Sequence, residues 1–187
     1  MPVNVTDKKI AIIATSGFDE NHMTAIQRAL TQAKLSYQII APEQGLINGW
    51  QDNDWGHYFT VDQSINTALG SDYDALILLG GERSVNKLKT NLHARRIINH
   101  FLEAKKPVAA IADSVGLLTL STAIANHKLA APPALEETIT TAQATLSSDK
   151  LTLDGGIITG TGEDIGAWVE AAVQLISTTE TPLEEAA

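Results

Sequence analysis

The chain has 187 residues, of which 44% are hydrophobic and 19% are charged, and its 22 acidic and 13 basic residues give a formal net charge of −9. This composition fits one globular domain, and the absence of cysteine excludes disulfides, thiolate chemistry and a cysteine-based zinc site. The acidic balance disfavours nucleic acid and membrane surfaces as partners, and no apolar run is long enough to span a bilayer. Because Met1 to Lys9 lack the apolar stretch of a signal peptide, we expect a cytoplasmic protein.

Short apolar runs alternate with helical patterns along the first half of the chain. The runs Lys9–Thr15 and Tyr37–Pro42 predict strands that are buried on both faces. Between them, apolar residues spaced by three and four over His22–Lys34 predict a helix. Residues 43–62 predict a small antiparallel excursion beside the main sheet, with a turn at the dipeptide Asn48-Gly49.

The second half continues the same alternation, interrupted by one proline pair. Its predicted elements are a strand over Asp74–Gly80, a helix over Leu92–Ala104, a strand over Pro107–Ala112, a helix over Ser114–Asn126, a short helix over Ala134–Thr141, a hairpin over Leu151–Gly160 around Asp154-Gly155-Gly156, and a helix over Glu163–Ile176. Together the two halves predict one α/β domain with a mainly parallel sheet.

We place this domain at residues 9–176, between an N-terminal arm at 1–8 and a polar, acidic tail at 177–187. Ligands of such sheets bind at the carboxyl ends of the strands. The loops Ser16–His22, Gly80–Ser84 and Ala112–Ser114 are therefore where we expect the functional site.

Four segments in this order carry a resemblance to a known family. They read KKIAIIATSGFDENHM, TVDQSINTALGSDYDALILLGG, KKPVAAIADSVGLL and LTLDGGIITGTGEDIGAW. They resemble the ThiJ/PfpI superfamily, which includes intracellular proteases, deglycases and glyoxalase-like proteins, over roughly residues 8–176. The resemblance implies a type 1 glutamine amidotransferase-like fold, a single-domain three-layer sandwich of flavodoxin-like type, and a homodimer.

The departures from the family's pattern concern its chemistry. In the family the turn after the Ala-Ile strand carries a reactive cysteine, often followed by His-Gly, but here the turn reads Ala112, Asp113 and Ser114. The family's acidic residue at the end of the first loop corresponds to His22, with Glu20 as a possible stand-in. A methyl group has no lone pair and forms no covalent intermediate, so we do not expect thiol chemistry.

Each candidate site residue has a structural and a functional interpretation. The structural interpretation of Gly80-Gly81 is a turn, and the resemblance implies that one of its amides binds an oxyanion. The two interpretations are compatible. A helix start beneath Ala112 would add oriented amides. Asp113 and Ser114 are interpreted as helix caps, and the functional alternative for Asp113 is a pocket carboxylate. A nucleophilic role for Ser114 would need an adjacent base, which the surrounding sequence does not supply. The structural interpretation of His22 is a solvated residue or one in the capping region of the helix. The functional interpretation is that it faces Asp113 and that the pair acts as a general base.

Further polar and aromatic residues lie near these loops or elsewhere on helices. Asp19 and Glu20 beside His22 could suggest a metal site, but neighbouring acids on a loop are usually just solvated. No metal or cofactor is therefore predicted. The pair Trp50 and Trp55, with His57, lies on the excursion, where aromatic side chains serve a dimer contact or core packing. The other histidines, His93, His100 and His127, are interpreted as structural.

We predict a cysteine-less relative of this superfamily whose nucleophile turn faces an open cavity. It would act as a non-catalytic binding or regulatory protein for a small carbonyl or carboxylate metabolite. The alternative is an enzyme, namely a lyase, hydratase or hydrolase that uses His22, Asp113 or Glu20 as acid and base. A third possibility is a structural or interaction module.

Overall fold

A computed structural model describes residues 7–180 as a central sheet with helices on both faces. The strands are β1 Lys9–Ile13, β2 Phe18–Asp19, β3 Ser36–Ala41, β4 Leu46–Gln51, β5 Asp54–Thr60, β6 Gln63–Ser64, β7 Ala75–Leu78, β8 Val108–Ile111, β9 Lys128–Leu129, β10 Thr145–Leu146, β11 Leu151–Asp154 and β12 Ile157–Gly160. The α-helices are α1 Glu20–Gln32, α2 Glu82–Lys89, α3 Leu92–Glu103, α4 Glu136–Thr141 and α5 Ile165–Thr178, and short 3-10 segments span Gly70–Asp72, Ala112–Leu120, Thr122–Ile124 and Pro133–Leu135.

The seven-stranded sheet has the order β11-β12-β8-β7-β1-β3-β6. Every neighbouring pair is parallel except β11 and β12, which form the predicted hairpin. This topology confirms the predicted α/β fold. Because β1, β7 and β8 are neighbours in the sheet, the loops that follow them meet at one edge.

Alternate residues of the central strands pack into two separate cores. On β1, Ile10 and Ile12 lie in the core covered by α1 and α5, whereas Ala11 and Ile13 lie in the core covered by α2 and α3. Full burial of one such isoleucine side chain stabilises the fold by roughly 1.5–3 kcal/mol. Burial on both faces explains why these strands read as continuous apolar runs.

The excursion at residues 43–62 is antiparallel, as predicted, but its turn is not at Asn48-Gly49. Both residues lie within β4, and the chain reverses at Asp52 and Asn53, which have φ values of 51° and 61°. A two-residue turn with positive φ at both positions matches the twist of a hairpin. Gly49 serves a different purpose, described below.

The predicted helix over Ser114–Asn126 is wrong, and helix α2 was not predicted. The first region forms 3-10 segments broken at Ser121, whose φ and ψ of −110° and 136° are extended. Serine and threonine side chains bond the local backbone there, as Thr119 does to the Gly116 carbonyl, and this competes with α-helical bonding. In α2, Val85 and Leu88 carry the apolar spacing that should have indicated a helix.

The two ends of the described chain are joined by a buried lysine. Lys8 is 4% exposed, and its Nζ donates hydrogen bonds to the carbonyl oxygens of Ile176 and Thr179. Helix α5 extends to Thr178, which places the first residues of the predicted tail in a helix. The rest of the predicted arm and tail lies outside the described residues, and the boundaries stay predictions. Between residues 7 and 180, no helix combines the length and apolarity needed to cross a membrane.

Candidate functional site

The turn after β8 keeps a strained backbone even though its residue is alanine. Ala112 has a φ of 54°, a left-handed conformation that costs a non-glycine residue about 1–2 kcal/mol. Its methyl group faces the backbone of Gly162, since a Cβ at position 162 would lie 3.1 Å from that methyl carbon. Such strain persists where the surrounding structure enforces it, and it is common at functional sites. The bend therefore has the shape of a nucleophile turn without a nucleophile.

The amides of the glycine turn after β7 are both engaged by side chains of the protein itself. The Gly80 amide donates to His22 Nδ1 at 3.3 Å, and the Gly81 amide donates to Asp113 Oδ1 at 2.9 Å. Gly81 has a φ of 119°, and a Cβ there would lie 2.6 Å from the Gly17 carbonyl oxygen, so glycine is required. The amides predicted to bind an oxyanion thus already have acceptors.

His22 is buried, so the solvated interpretation is wrong. The side chain is 5% exposed, and its Nε2 lies 3.7 Å from Asp19 Oδ2. Because Nδ1 accepts the Gly80 amide proton, the neutral ring carries its own proton on Nε2. Burial lowers the pKa of His22, although the charges of Asp19 and Asp113 oppose this shift. The imidazole is therefore neutral at neutral pH, and neither nitrogen offers a free lone pair.

Asp113 faces His22 across Gly80. A Cβ at Gly80 would lie 2.8 Å from Asp113 Oδ1 and 2.9 Å from His22 Cε1. Asp113 Oδ1 and His22 Cε1 are therefore at most 5.7 Å apart. Burial raises the pKa of Asp113, while hydrogen bonds from backbone amides and the nearby imidazole oppose the shift. The structure brings together the two residues that sequence reasoning paired, with Gly80 between them.

The pKa shift of His22 predicts a specific loss of stability in acid. Unfolding returns the imidazole to its ordinary pKa of about 6.5, so below that pH the unfolded chain binds a proton that the folded protein resists. Each pH unit of descent in this window costs up to about 1.4 kcal/mol of unfolding free energy. Asp113 acts in the opposite direction, because its raised pKa makes the folded protein take up a proton first.

Comparison of the wild type with His22→Gln isolates the histidine contribution. Urea unfolding between pH 7.5 and 5 should show a steeper loss of stability in the wild type than in the variant. Equal losses in the two proteins would contradict the assignment of a neutral, buried His22.

Glu20 does not belong to this group of residues, and the interpretation of it as an acid facing Ala112 is not supported. Its side chain is buried beneath the β4–β5 hairpin, where Oε2 accepts the His57 amide at 2.8 Å and Oε1 lies 2.5 Å from His57 Nδ1. Gly49 and Gly56 make room for it, since a Cβ at either would lie 2.6 Å or 1.8 Å from Oε2. Glu20 and His22 therefore point to different partners.

Ser114 is a structural residue rather than a nucleophile. It is fully buried, and its Oγ accepts the Ile111 amide at 3.0 Å and lies 2.7 Å and 3.0 Å from the carbonyl oxygens of Ile111 and Leu78. These bonds tie the bend to β7 and β8. Neither Asp113 nor Ser114 is the predicted N-cap residue, because the 3-10 segment begins at Ala112 and its N-cap is Ile111, whose amide Ser114 accepts, while Asp113 bonds the neighbouring turn.

Arg83 lies beside the site and was missed by sequence reasoning. Its guanidinium carbon lies 4.2 Å from the ring centre of Trp50 and 5.7 Å from that of Trp55, and its stem packs on Gly17. Trp55 is 49% exposed, so the pair does not belong to the interior. Three distant segments form this cluster, and no local pattern in the sequence indicates it.

Two cavities within residues 7–180 lie away from the bend. One, of about 600 Å³, is lined by residues between Thr119 and Gln143, and another, of about 390 Å³, lies between α3 and the β11–β12 turn. Ala112 itself is half-buried. An open cavity above Ala112 therefore stays a prediction.

Comparison with known families and proteins places the chain among related sequences. The model of the DJ-1/PfpI family matches residues 8–175. The chain is 32% identical to General stress protein 18 of Bacillus subtilis over 122 residues, which is 65% of this chain and 69% of that protein. It is 25% identical to Protein/nucleic acid deglycase 2 of Escherichia coli over 171 residues, which is 90% of this chain and 98% of the relative.

Some similar proteins are much longer than this chain. The match to Protein DJ-1 homolog D of Arabidopsis thaliana is 29% identical over 109 residues, which is 56% of this chain and 28% of that protein. Among solved structures, a ThiJ/PfpI domain protein from Brachyspira murdochii superposes with a TM-score of 0.82 at 18% identity, covering 92% of this chain and 98% of the other. A two-domain protein from Anabaena variabilis, with DJ-1/ThiJ/PfpI-like and ferritin-like domains, superposes with a TM-score of 0.83 at 20% identity. The match covers 90% of this chain and 48% of the other.

Proposed function

The chain belongs to the DJ-1/PfpI family, and from that premise we propose that it is a non-catalytic member that binds a small carbonyl or carboxylate metabolite or serves a regulatory role. One observation carries this proposal. The nucleophile turn bears the methyl group of Ala112, while the neighbouring Gly81 amide is held by Asp113 rather than left for a substrate. Covalent chemistry at position 112 requires a side-chain lone pair, and the methyl group of Ala112 has none.

A ligand oxygen reaches the site by replacing an internal acceptor. The Asp113 carboxylate occupies the position from which a ligand carbonyl or carboxylate would accept the Gly81 amide. Its negative charge also repels an anionic ligand at short range. Binding is therefore coupled to movement or protonation of Asp113, and the raised pKa of this group favours its protonation. This coupling gives the site a regulatory character.

Removal of the Asp113 side chain beyond Cβ tests the proposal. Asp113→Ala should free the Gly81 amide and remove the repulsive charge, so acetate should bind at least tenfold more tightly than it binds the wild type. The measurement is a titration with acetate that follows the Gly81 amide resonance by NMR.

Asp113→Asn is the matched control, because the amide oxygen of asparagine can still accept the Gly81 amide. It should bind acetate nearly as weakly as the wild type does. The proposal fails if Asp113→Ala gains no affinity, or if acetate binds without perturbing the Gly81 resonance.

An acid–base enzyme is the second candidate, and the raised pKa of Asp113 is the observation that favours it. A half-buried carboxyl group with a raised pKa, close to an imidazole, is a common arrangement for general acid–base catalysis. Against this role, the Nδ1 lone pair of His22 is already used by Gly80. His22 must therefore break that hydrogen bond before it acts as a base.

A further inference from the structure

We propose that a second site, at the opposite end of the sheet from Ala112, binds a small amphipathic carboxylate. We call it the α3–β8 cavity, since it lies where the end of α3 leads into β8. Its volume is about 390 Å³, within the range of roughly 300–1,000 Å³ typical of small-molecule pockets. The length of β8, from Val108 to Ile111, separates this cavity from the bend at Ala112.

The floor of the α3–β8 cavity is apolar. Phe101, Leu102 and Ile157 line it, and all three are buried members of the core between α3 and the sheet. Ala123 adds a small, half-buried apolar side chain to the wall. An apolar body placed against these residues is removed from water, which is the main source of affinity for a small ligand.

The rim of the cavity carries positive groups that no carboxylate neutralises in the described structure. Lys106 Nζ donates to the carbonyl oxygens of Tyr73 at 3.0 Å and Gly70 at 3.3 Å, and it lies 3.4 Å from His100 Nε2. Lys105 has a φ of 56° and an exposed side chain. Glu103 is the single acidic residue of the lining. The two lysines exceed the one acidic residue of the lining by a single positive charge, which favours an anionic ligand in a protein of formal net charge −9.

His127 adds an imidazole whose geometry suits an anionic neighbour. Its Nδ1 is buried without a hydrogen bond within residues 7–180, and Asp154 Oδ1 lies 3.6 Å away. Gly155 packs against the ring, since a Cβ there would lie 2.8 Å from Cε1. An imidazole N–H can donate a hydrogen bond to a carboxylate oxygen, so His127 is a candidate donor to the carboxylate of the ligand.

The size of the cavity sets the size of the ligand. At about 30 Å³ for each non-hydrogen atom, as in liquid water, a volume of about 390 Å³ holds roughly a dozen atoms. A bicyclic aromatic or medium-chain aliphatic body with one carboxylate meets both requirements. 2-Naphthoate has this form, and 2-naphthamide has the same shape without the charge.

The test compares these two probes by isothermal titration calorimetry. Wild-type protein should bind 2-naphthoate at least tenfold more tightly than 2-naphthamide. The double variant Lys105→Gln/His127→Gln should lose that preference while its affinity for 2-naphthamide stays unchanged. Ala123→Phe, which fills the cavity from its wall, should weaken both probes, with thermal unfolding measured in parallel to verify the fold.

A control variant separates this site from others. Lys34→Gln should change nothing, because Lys34 is also exposed, also follows a helix end and has a φ of 57°. Binding that depends on Lys105 and His127 is assigned to this cavity and not to the bend, so failure of acetate binding at the bend leaves this proposal intact. The proposal is overturned if the wild type binds both probes equally or neither, or if the double variant keeps its preference for the carboxylate.

Discussion

Replacing Gly56 with alanine is expected to lower the free energy of unfolding by about 3 kcal/mol or more, the upper range for overpacking. The new Cβ would lie 1.8 Å from Oε2 and 2.9 Å from Cδ of Glu20. That carboxylate cannot yield easily, because it is 6% exposed and bonded to both the amide and the imidazole of His57. Moving it leaves a buried charge without its donors, which adds to the steric cost.

The measurement is urea unfolding of the wild type and of two variants. Gly166→Ala is the matched control, because Gly166 is exposed within α5 and its nearest atom to a new Cβ is Asp164 Oδ1 at 3.6 Å. That variant should be stabilised by about 0.5–1 kcal/mol, the usual gain from replacing a helical glycine. If Gly56→Ala behaved like Gly166→Ala, the buried position of Glu20 would be wrong.

A double-mutant cycle then assigns the cost to the contact itself. Glu20→Ala alone should also destabilise the protein, because it removes the acceptor of the His57 amide. In the Glu20→Ala background, the added Gly56→Ala change should cost much less than in the wild type, since the colliding oxygens are gone. Additive losses would show that Gly56 is constrained by something other than Glu20.

The sequence predicted the parts of the fold that depend on local pattern. The continuous Ile-rich run of β1 indicated a strand buried on both faces, and the two cores explain it. The hairpin around Gly155-Gly156 followed from its turn residues. The family resemblance, carried by four ordered segments, is confirmed by the match over residues 8–175.

The sequence-based predictions were wrong where long-range side-chain contacts override the local sequence pattern. Asn48-Gly49 reads as a turn dipeptide, but Gly49 is in a strand because the carboxylate of Glu20 approaches its backbone. Ser114 bonds both β7 and its own turn, and the segment after it winds as a 3-10 helix. These contacts join residues far apart in the chain, so no window of the sequence contains them.

The candidate site was predicted in part. Sequence reasoning paired His22 with Asp113, and the structure places both beside Gly80. It did not predict that each would accept one amide of the glycine turn, because this depends on side-chain direction as well as position. It also grouped Glu20 with His22, although positions two apart on α1 point to different faces of a helix.

We propose, as the central point, that the bend at Ala112 performs no covalent catalysis and that His22 and Asp113 form no working acid–base pair. We therefore expect no multiple-turnover conversion of a reactive carbonyl substrate. The reasons are the missing lone pair at position 112 and the engaged Nδ1 of His22. Loss of the nucleophile or its base in a serine protease reduces the rate by several orders of magnitude.

The most direct test is lactate production from methylglyoxal in excess over protein, which distinguishes turnover from stoichiometric modification of arginine and lysine side chains. Wild type, His22→Ala and Asp113→Asn are compared with heat-denatured protein at neutral pH. We expect all four samples to produce lactate at the same background rate. Sustained production by the wild type that either substitution abolishes would contradict it and establish the acid–base enzyme instead.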